Sequence, residues 1–153
     1  GEFQNELRDG KGTFYYYENN EYERKKYEGD WKNDKIQGKG KMIWKDGSIY
    51  EGQWSNNLKE GKGIQICPNG QKYEGNFKNS KLEGKGVLYY ENGNRYEGDF
   101  KNDNRHGSGI MYYIRDGKKG KSMGDFFDDK PIGKHVFLQP NGSVTVEIAK
   151  WLD

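Results

Sequence analysis

The chain has 153 residues, about one domain by length, with 31% aliphatic, aromatic or cysteine residues, 33% charged residues and a mean hydropathy of −1.27. Those figures alone would describe a disordered chain, but 23 aromatic residues and 23 glycines return the apolar share to the globular range. The balance of 26 basic against 24 acidic residues excludes the bias of a general nucleic-acid binder, and no apolar run approaches the roughly 18 to 20 residues of a membrane-spanning helix.

A 23-residue period organises the chain. Residues 1–26 make a partial repeat, with Gly10, Gly12 and Asn19-Asn20 in place of a turn glycine. Tyr-Glu-Gly then opens four units, at Tyr27, Tyr50, Tyr73 and Tyr96, giving repeats 27–49, 50–72, 73–95 and 96–121. Counting that tyrosine as position 1, glycine recurs at positions 3, 12 and 14, an aromatic at 5, and Asp-Gly or Asn-Gly near 20 and 21. Tyr50, Gly52, Trp54, Gly61, Gly63, Asn69 and Gly70 show the full set. The unit from Tyr96 carries about three extra residues around Arg115 to Gly120. A weaker unit, 122–144, keeps Gly124, Phe126, Gly133 and Gly142 but sets Met123 and His135 where tyrosine and glycine are expected. Residues 145–153 read as a capping segment: Val144, Val146 and Ile148 alternate as a strand that completes or covers the last edge, and Trp151 packs on the end of the array.

Segments such as Lys41-Met42-Ile43-Trp44 and Gly86-Val87-Leu88-Tyr89-Tyr90 are too short for helices, rich in β-branched and aromatic residues, and bounded by turn glycines. Each repeat is therefore a β-hairpin. Asx-Gly turns fit either a two-residue type I′ loop or a three-residue type I loop with a glycine bulge. Pro68-Asn69-Gly70 and Pro140-Asn141-Gly142 select the second, because Pro fixes φ near −65° and Gly supplies the positive φ. Pairing outward from that loop sets Trp54 beside Gly38 and Gly40 beside Gly52. The result is an all-β, single-layer twisted antiparallel sheet of consecutive hairpins. At about 4.8 Å per strand it would extend roughly 50 to 60 Å and coil into a shallow trough.

This register gathers 16 of the 23 aromatics on one face, including Tyr27, Trp31, Trp44, Tyr50, Trp54, Tyr73, Phe77, Tyr90, Tyr96 and Phe100. Their rings lie over glycines, and the uncovered trough they form is the candidate site for a partner's amphipathic helix or extended segment. The other face alternates Glu51, Gln53, Glu74 and Asp99 with Lys39, Lys41, Lys62 and Lys85 around an aliphatic strip of Ile43, Ile64, Ile66 and Val87. It reads as self-neutralised. The alternative site is Lys118, Lys119 and Lys121 in the insertion, a basic cluster suited to anionic phosphoinositides.

Other signatures fail on their spacing. Gly117-Lys118-Lys119-Gly120-Lys121-Ser122 ends like a phosphate loop, but Arg115 occupies the first glycine position. His106 and His135 lie in different repeats without recurring partners, so they read as loop or surface residues rather than metal ligands or a catalytic pair. Cys67 holds the slot of Trp44 and Tyr90 and reads as packing; a lone cysteine fits a reducing compartment. No catalytic residue, metal or cofactor is expected.

The pattern Tyr-x-Gly-x-Trp/Phe, loop, Gly-x-Gly, aromatic, Asx-Gly resembles the MORN (membrane occupation and recognition nexus) repeat, strongly from Tyr27 to Tyr113. The resemblance implies a non-catalytic scaffold at a cytoskeletal or membrane-associated assembly in the cytoplasm. It also implies a platform of hairpins without naming the partner. Gly1-Glu2-Phe3 opens in mid-repeat, as a fragment of a longer chain would, and the open sheet ends admit a homodimer.

Overall fold

The computed structural model describes residues 3–4 and 7–149. Among the described residues there are no helices, and the strands are β1 (Phe3–Gln4), β2 (Leu7–Arg8), β3 (Gly10–Tyr15), β4 (Arg24–Lys32), β5 (Lys35–Trp44), β6 (Ile49–Ser55), β7 (Leu58–Ile66), β8 (Lys72–Lys78), β9 (Lys81–Tyr89), β10 (Arg95–Lys101), β11 (Asn104–Arg115), β12 (Lys118–Phe127), β13 (Lys130–Leu138) and β14 (Val144–Ala149). The chain divides into two compact units, Gly1–Ser80 and Lys81–Asp153. Within the first, β1 pairs with β2, and β3 to β8 pair antiparallel in chain order. Within the second, β9 to β14 do the same. The fold is thus all-β and built of consecutive antiparallel hairpins.

The register is the one the turns dictate. Gly38 faces Trp54, Gly40 faces Gly52 and Met42 faces Tyr50; Gly84, Gly86 and Leu88 face Phe100, Gly98 and Tyr96 in the same way. The loop at Lys45-Asp46-Gly47 has the three-residue form: Gly47 N–H donates to Trp44 O at 3.1 Å, Trp44 N–H donates to Ser48 O at 2.9 Å, and Gly47 sits at φ 93°. Cys67, Tyr90 and Gln139 open identical loops. Asx side chains brace them from inside, Asp46 Oδ1 accepting from Ser48 N–H at 2.7 Å.

A second turn was not visible in the glycine pattern. At positions 7 and 8, Asn33-Asp34, Asn56-Asn57, Asn79-Ser80, Asn102-Asp103 and Asp128-Asp129 all have positive φ at both residues, between 45° and 71°. These are two-residue type I′ turns built without glycine, at positions where Asn and Asp bear the left-handed conformation at least cost. Each turn is stapled to the preceding repeat. Asn57 N–H donates to Ile36 O at 3.0 Å, and Ile36 N–H returns a bond to Asn57 Oδ1 at 2.8 Å. The same reciprocal pair joins Asp34 to Arg8, Ser80 to Lys59, Asp103 to Leu82 and Asp129 to Arg105. The neighbouring turn residue is held too, Asn79 N–H donating to Glu60 Oε2 at 3.0 Å and Asn102 N–H to Glu83 Oε2 at 3.1 Å.

Two expectations are refined. The extra residues near Arg115 lengthen β11 and β12, which close on a tight turn with Asp116 at φ 53° and Gly117 at φ 72°. The weak unit from Ser122 has the same two turns as the others, Asp128-Asp129 and the loop ending at Gly142. Val144, Val146 and Ile148 pair with Leu138, Val136 and Lys134 as an added strand. Trp151 lies outside the described residues.

Replacing Asn57 by alanine should remove both the tolerated left-handed residue and the acceptor for Ile36 N–H, costing about 1 to 2 kcal/mol. Glycine at the same place should cost less, since only the acceptor is lost. Thermal denaturation followed by circular dichroism checks the order, with a drop of roughly 2 to 8 °C for N57A.

Candidate protein-interaction face

The tyrosine at position 1 does one geometric job in four repeats. Tyr27 lies flat on Gly40 and its hydroxyl donates to Asp30 O at 3.1 Å. Tyr50 lies on Gly63 and donates to Gln53 O at 2.7 Å; Tyr96 lies on Gly109 and donates to Asp99 O at 3.1 Å; Tyr73 donates to Asn76 O at 2.8 Å. A Cβ on Gly40, Gly63 or Gly109 would sit inside the ring, so glycine is required there by close approach rather than by φ. Burial pushes the phenols of Tyr27, Tyr50 and Tyr73 well above the usual range and that of Tyr96 up to about 12.

The position 5 aromatics fill the spaces between these tyrosines edge to face. In the first unit the ring centroids run Tyr27–Trp31 5.1 Å, Tyr27–Trp54 5.8 Å, Tyr50–Trp54 5.0 Å, Tyr50–Phe77 5.0 Å and Tyr73–Phe77 5.1 Å. In the second they run Tyr96–Phe100 5.2 Å and Tyr96–Phe126 5.2 Å. Trp54 Nε1–H also donates to Gly40 O at 3.1 Å. Such T-shaped pairs contribute about 0.5 to 1.5 kcal/mol each beyond area burial.

The rings are also roofed, which the glycine and tyrosine spacing did not reveal. Position 10 places the Arg8 guanidinium over Phe14 and Trp31 at 4.6 and 4.1 Å, the Lys59 ammonium over Trp44 and Tyr50 at 4.9 and 5.2 Å, and Arg105 over Phe126 at 4.9 Å. Ile36, at the same position between Arg8 and Lys59, is 1% exposed. The sequence signal is a long side chain two residues before the position 12 glycine, cationic and apolar in turn from Arg8 to Arg105, with Pro131 in that place before Gly133.

This changes what the ten aromatic candidates do. Tyr27, Trp31, Tyr50, Trp54, Tyr73, Phe77, Tyr96 and Phe100 are buried to 6% exposure or less and form the core. Trp44 in the first unit and Tyr90 in the second, at the mouths of their three-residue loops, stay half-exposed, each on the ring-bearing side of its own unit. In the first unit Phe14 and Tyr16 share that condition; in the second, Leu88, Met111, Tyr113 and Phe137 do. The lysine trio is divided: Lys119 faces Ile114 and Lys121 faces Tyr112 across the ladder, whereas Lys118 faces Arg115 and points to the opposite side.

His135 is not a surface residue, because it is 3% exposed. Its ring lies over Gly124, and its Nε2 is 3.0 Å from Asp125 O, so that nitrogen carries the proton. Asp125 is the position 4 residue whose carbonyl receives the tyrosine hydroxyl in other repeats. Ser122, paired with Met111 and Phe137, occupies the tyrosine position itself, and Met123 stands one residue beyond. The last unit therefore exchanges the partners: the ring comes from position 14 and lies on the glycine at position 3. His106 is half-buried, its Nδ1 3.6 Å from Asp128 Oδ1 and its ring 5.0 Å from Phe127.

Hairpins interlocked by a ring on a glycine and repeated at fixed spacing define a β-hairpin repeat protein. The family model for the MORN repeat matches residues 1–21, 27–49, 50–72, 73–95 and 96–118, and the chain belongs to the MORN repeat family. MORN repeats generally serve protein or membrane interactions and are typically non-catalytic. No curated protein gives a significant match to the chain.

The exchange at His135 has a measurable consequence. Ser122→Tyr alone should drive a second ring into the His135 ring, and His135→Gly alone should leave a cavity, each costing about 2 to 4 kcal/mol. Together they rebuild the ordinary tyrosine-on-glycine pair, so the double variant should unfold in urea close to wild type. Additive losses would contradict the exchange.

Proposed function

We propose that this chain is a non-catalytic scaffold that holds a helix or extended segment of a partner protein on its ring-bearing face, at a cytoskeletal or membrane-associated assembly. The observation that carries the reading is the division of labour among the aromatics. Eight are consumed in rigid packing, while Trp44 and Tyr90 remain half-exposed above it, each fixed by its own hydrogen-bonded loop. Rigid, partly exposed Trp and Tyr side chains are the residues that dominate binding energy at protein interfaces, because little conformational entropy is lost when they are covered. The phosphoinositide reading has less support, since Lys118 points away from Lys119 and Lys121 and the trio cannot meet one headgroup layer together.

The test separates contact from core. Trp44→Ser and Tyr90→Ser should weaken capture of the chain's specific partners by about tenfold or more while shifting the melting temperature by no more than a few degrees. Tyr50→Ser should instead lower the melting temperature strongly. Partners captured equally by wild type, W44S and Y90S would defeat the proposal.

A further inference from the structure

The face opposite the rings differs between the two units. In the first, its central cross-strand row reads Glu28–Lys41–Glu51–Ile64–Glu74, opposite charges meeting at Glu28–Lys41 and Lys41–Glu51 before the row passes through Ile64 of the expected aliphatic strip. In the second unit the equivalent row reads Ile110–Met123–Val136–Val146 across β11 to β14. The row beside it reads Tyr112–Lys121–Leu138–Val144. Beyond these rows stand Ile114, opposite Lys119, and Ile148, opposite Lys134. Much of this apolar surface is open: Ile114 is 47% exposed, Val146 54% and Ile148 71%. A contiguous apolar patch of this kind on a soluble sheet marks a place where another molecule packs.

Charge identifies the occupant. Lys119, Lys121 and Lys134 have no ion-pair partner among the described residues; of the acids on this face, Glu97 is engaged by Arg95 Nε at 2.9 Å, and Asp125, four residues along β12 from Lys121, accepts from Ser108 Oγ at 3.1 Å. Lys121 stands inside the patch between Tyr112 and Leu138, so any body covering the patch strips water from its ammonium. A desolvated ammonium needs a carboxylate at a fixed place, which a folded peptide can supply and a diffuse layer of lipid headgroups supplies poorly. A second copy meeting this patch face to face would bring lysines against lysines. Four strands at about 4.8 Å separation span roughly 14 Å, the length of about ten residues of helix.

We propose that the face of β11 to β14 opposite the aromatic core docks an amphipathic helix of another protein, one whose apolar stripe is bordered by Asp or Glu. Within the second unit this uses the surface opposite the rings and Tyr90, so it stands independently of the scaffold reading above.

The probes are two fluorescein-labelled synthetic helices of about 14 residues, each with a leucine stripe, bordered by glutamates in one and by lysines in the other. Anisotropy titrations of the full chain in 150 mM salt should show the glutamate helix binding at least about tenfold more tightly. Lys119→Glu, Lys121→Glu and Lys134→Glu together should reverse the preference. Met123→Ser with Val146→Ser should weaken both peptides while W44S leaves them unchanged. Should the serine pair disturb folding in circular dichroism, the charge reversal at the three lysines, of which Lys119 and Lys134 are exposed, decides alone. Equal affinity for the two helices overturns the proposal. So does binding to phosphatidylserine vesicles that persists in 150 mM salt and displaces the peptide, or a dimer in light scattering that M123S/V146S abolishes.

Discussion

A tyrosine ring resting on the bare backbone of a glycine in the neighbouring strand is the contact on which the other parts depend. The ring can approach only because Gly40, Gly63 and Gly109 lack a Cβ, and its hydroxyl reaches a carbonyl three residues along its own strand only when the ring lies flat. That geometry fixes where the position 5 aromatic finds space, so the edge-to-face series follows from it. It also fixes register, since a slip of one residue would place every ring over a side chain on the wrong face. Glycine in a strand ordinarily costs about 0.5 to 1 kcal/mol; here the buried ring and its hydrogen bond offset that cost.

One layer of strands can possess a core because its rings are covered from above by the same chain. Cationic and aliphatic side chains at position 10 lie on the aromatic faces, and the backbone that carries them is clamped by the two-residue turn of the following repeat. Each hairpin is thereby tied to its neighbour by a strand ladder, by stacked rings and by a reciprocal pair of turn hydrogen bonds. Such nearest-neighbour coupling is the energetic signature of repeat proteins, whose stability is a sum of local interfaces. Where Tyr is missing, the same volume is filled from the opposite strand by His135, which shows that the constraint is the ring and its carbonyl acceptor, not the residue number.

Much of this was legible in the residues. The period, the hairpins, the three-residue Asx-Gly loops and the pairing of Gly40 with Gly52 follow from glycine and proline stereochemistry, which acts locally. The turns at Asn56-Asn57 and its equivalents escaped because no glycine marks them, although an Asx or Ser pair at fixed positions was there to be read. The burial of eight candidate contact residues escaped for a different reason: alternation assigns a face but not a roof, and the roof is set by position 10 side chains reaching across strands. His135 was misplaced because an exchange between two strands is invisible to a count along one.

The two faces consequently have separate chemistry. In each unit the ring-bearing side has a rigid floor, with Trp44 half-exposed in the first and Tyr90 in the second; the side opposite the rings carries Glu28, Lys41 and Glu51 in the first unit, and in the second is apolar with lysines that have no ion-pair partner among the described residues. All of this rests on the ring-on-glycine contact, and Gly63→Ala tests it by the sign of its effect. In an ordinary strand, alanine should stabilise relative to glycine by about 0.5 to 1 kcal/mol. If Tyr50 occupies the space above Gly63, the added methyl group must displace the ring, and calorimetry should record a loss of about 2 kcal/mol or more. A G63A variant as stable as wild type, or more stable, would contradict the account.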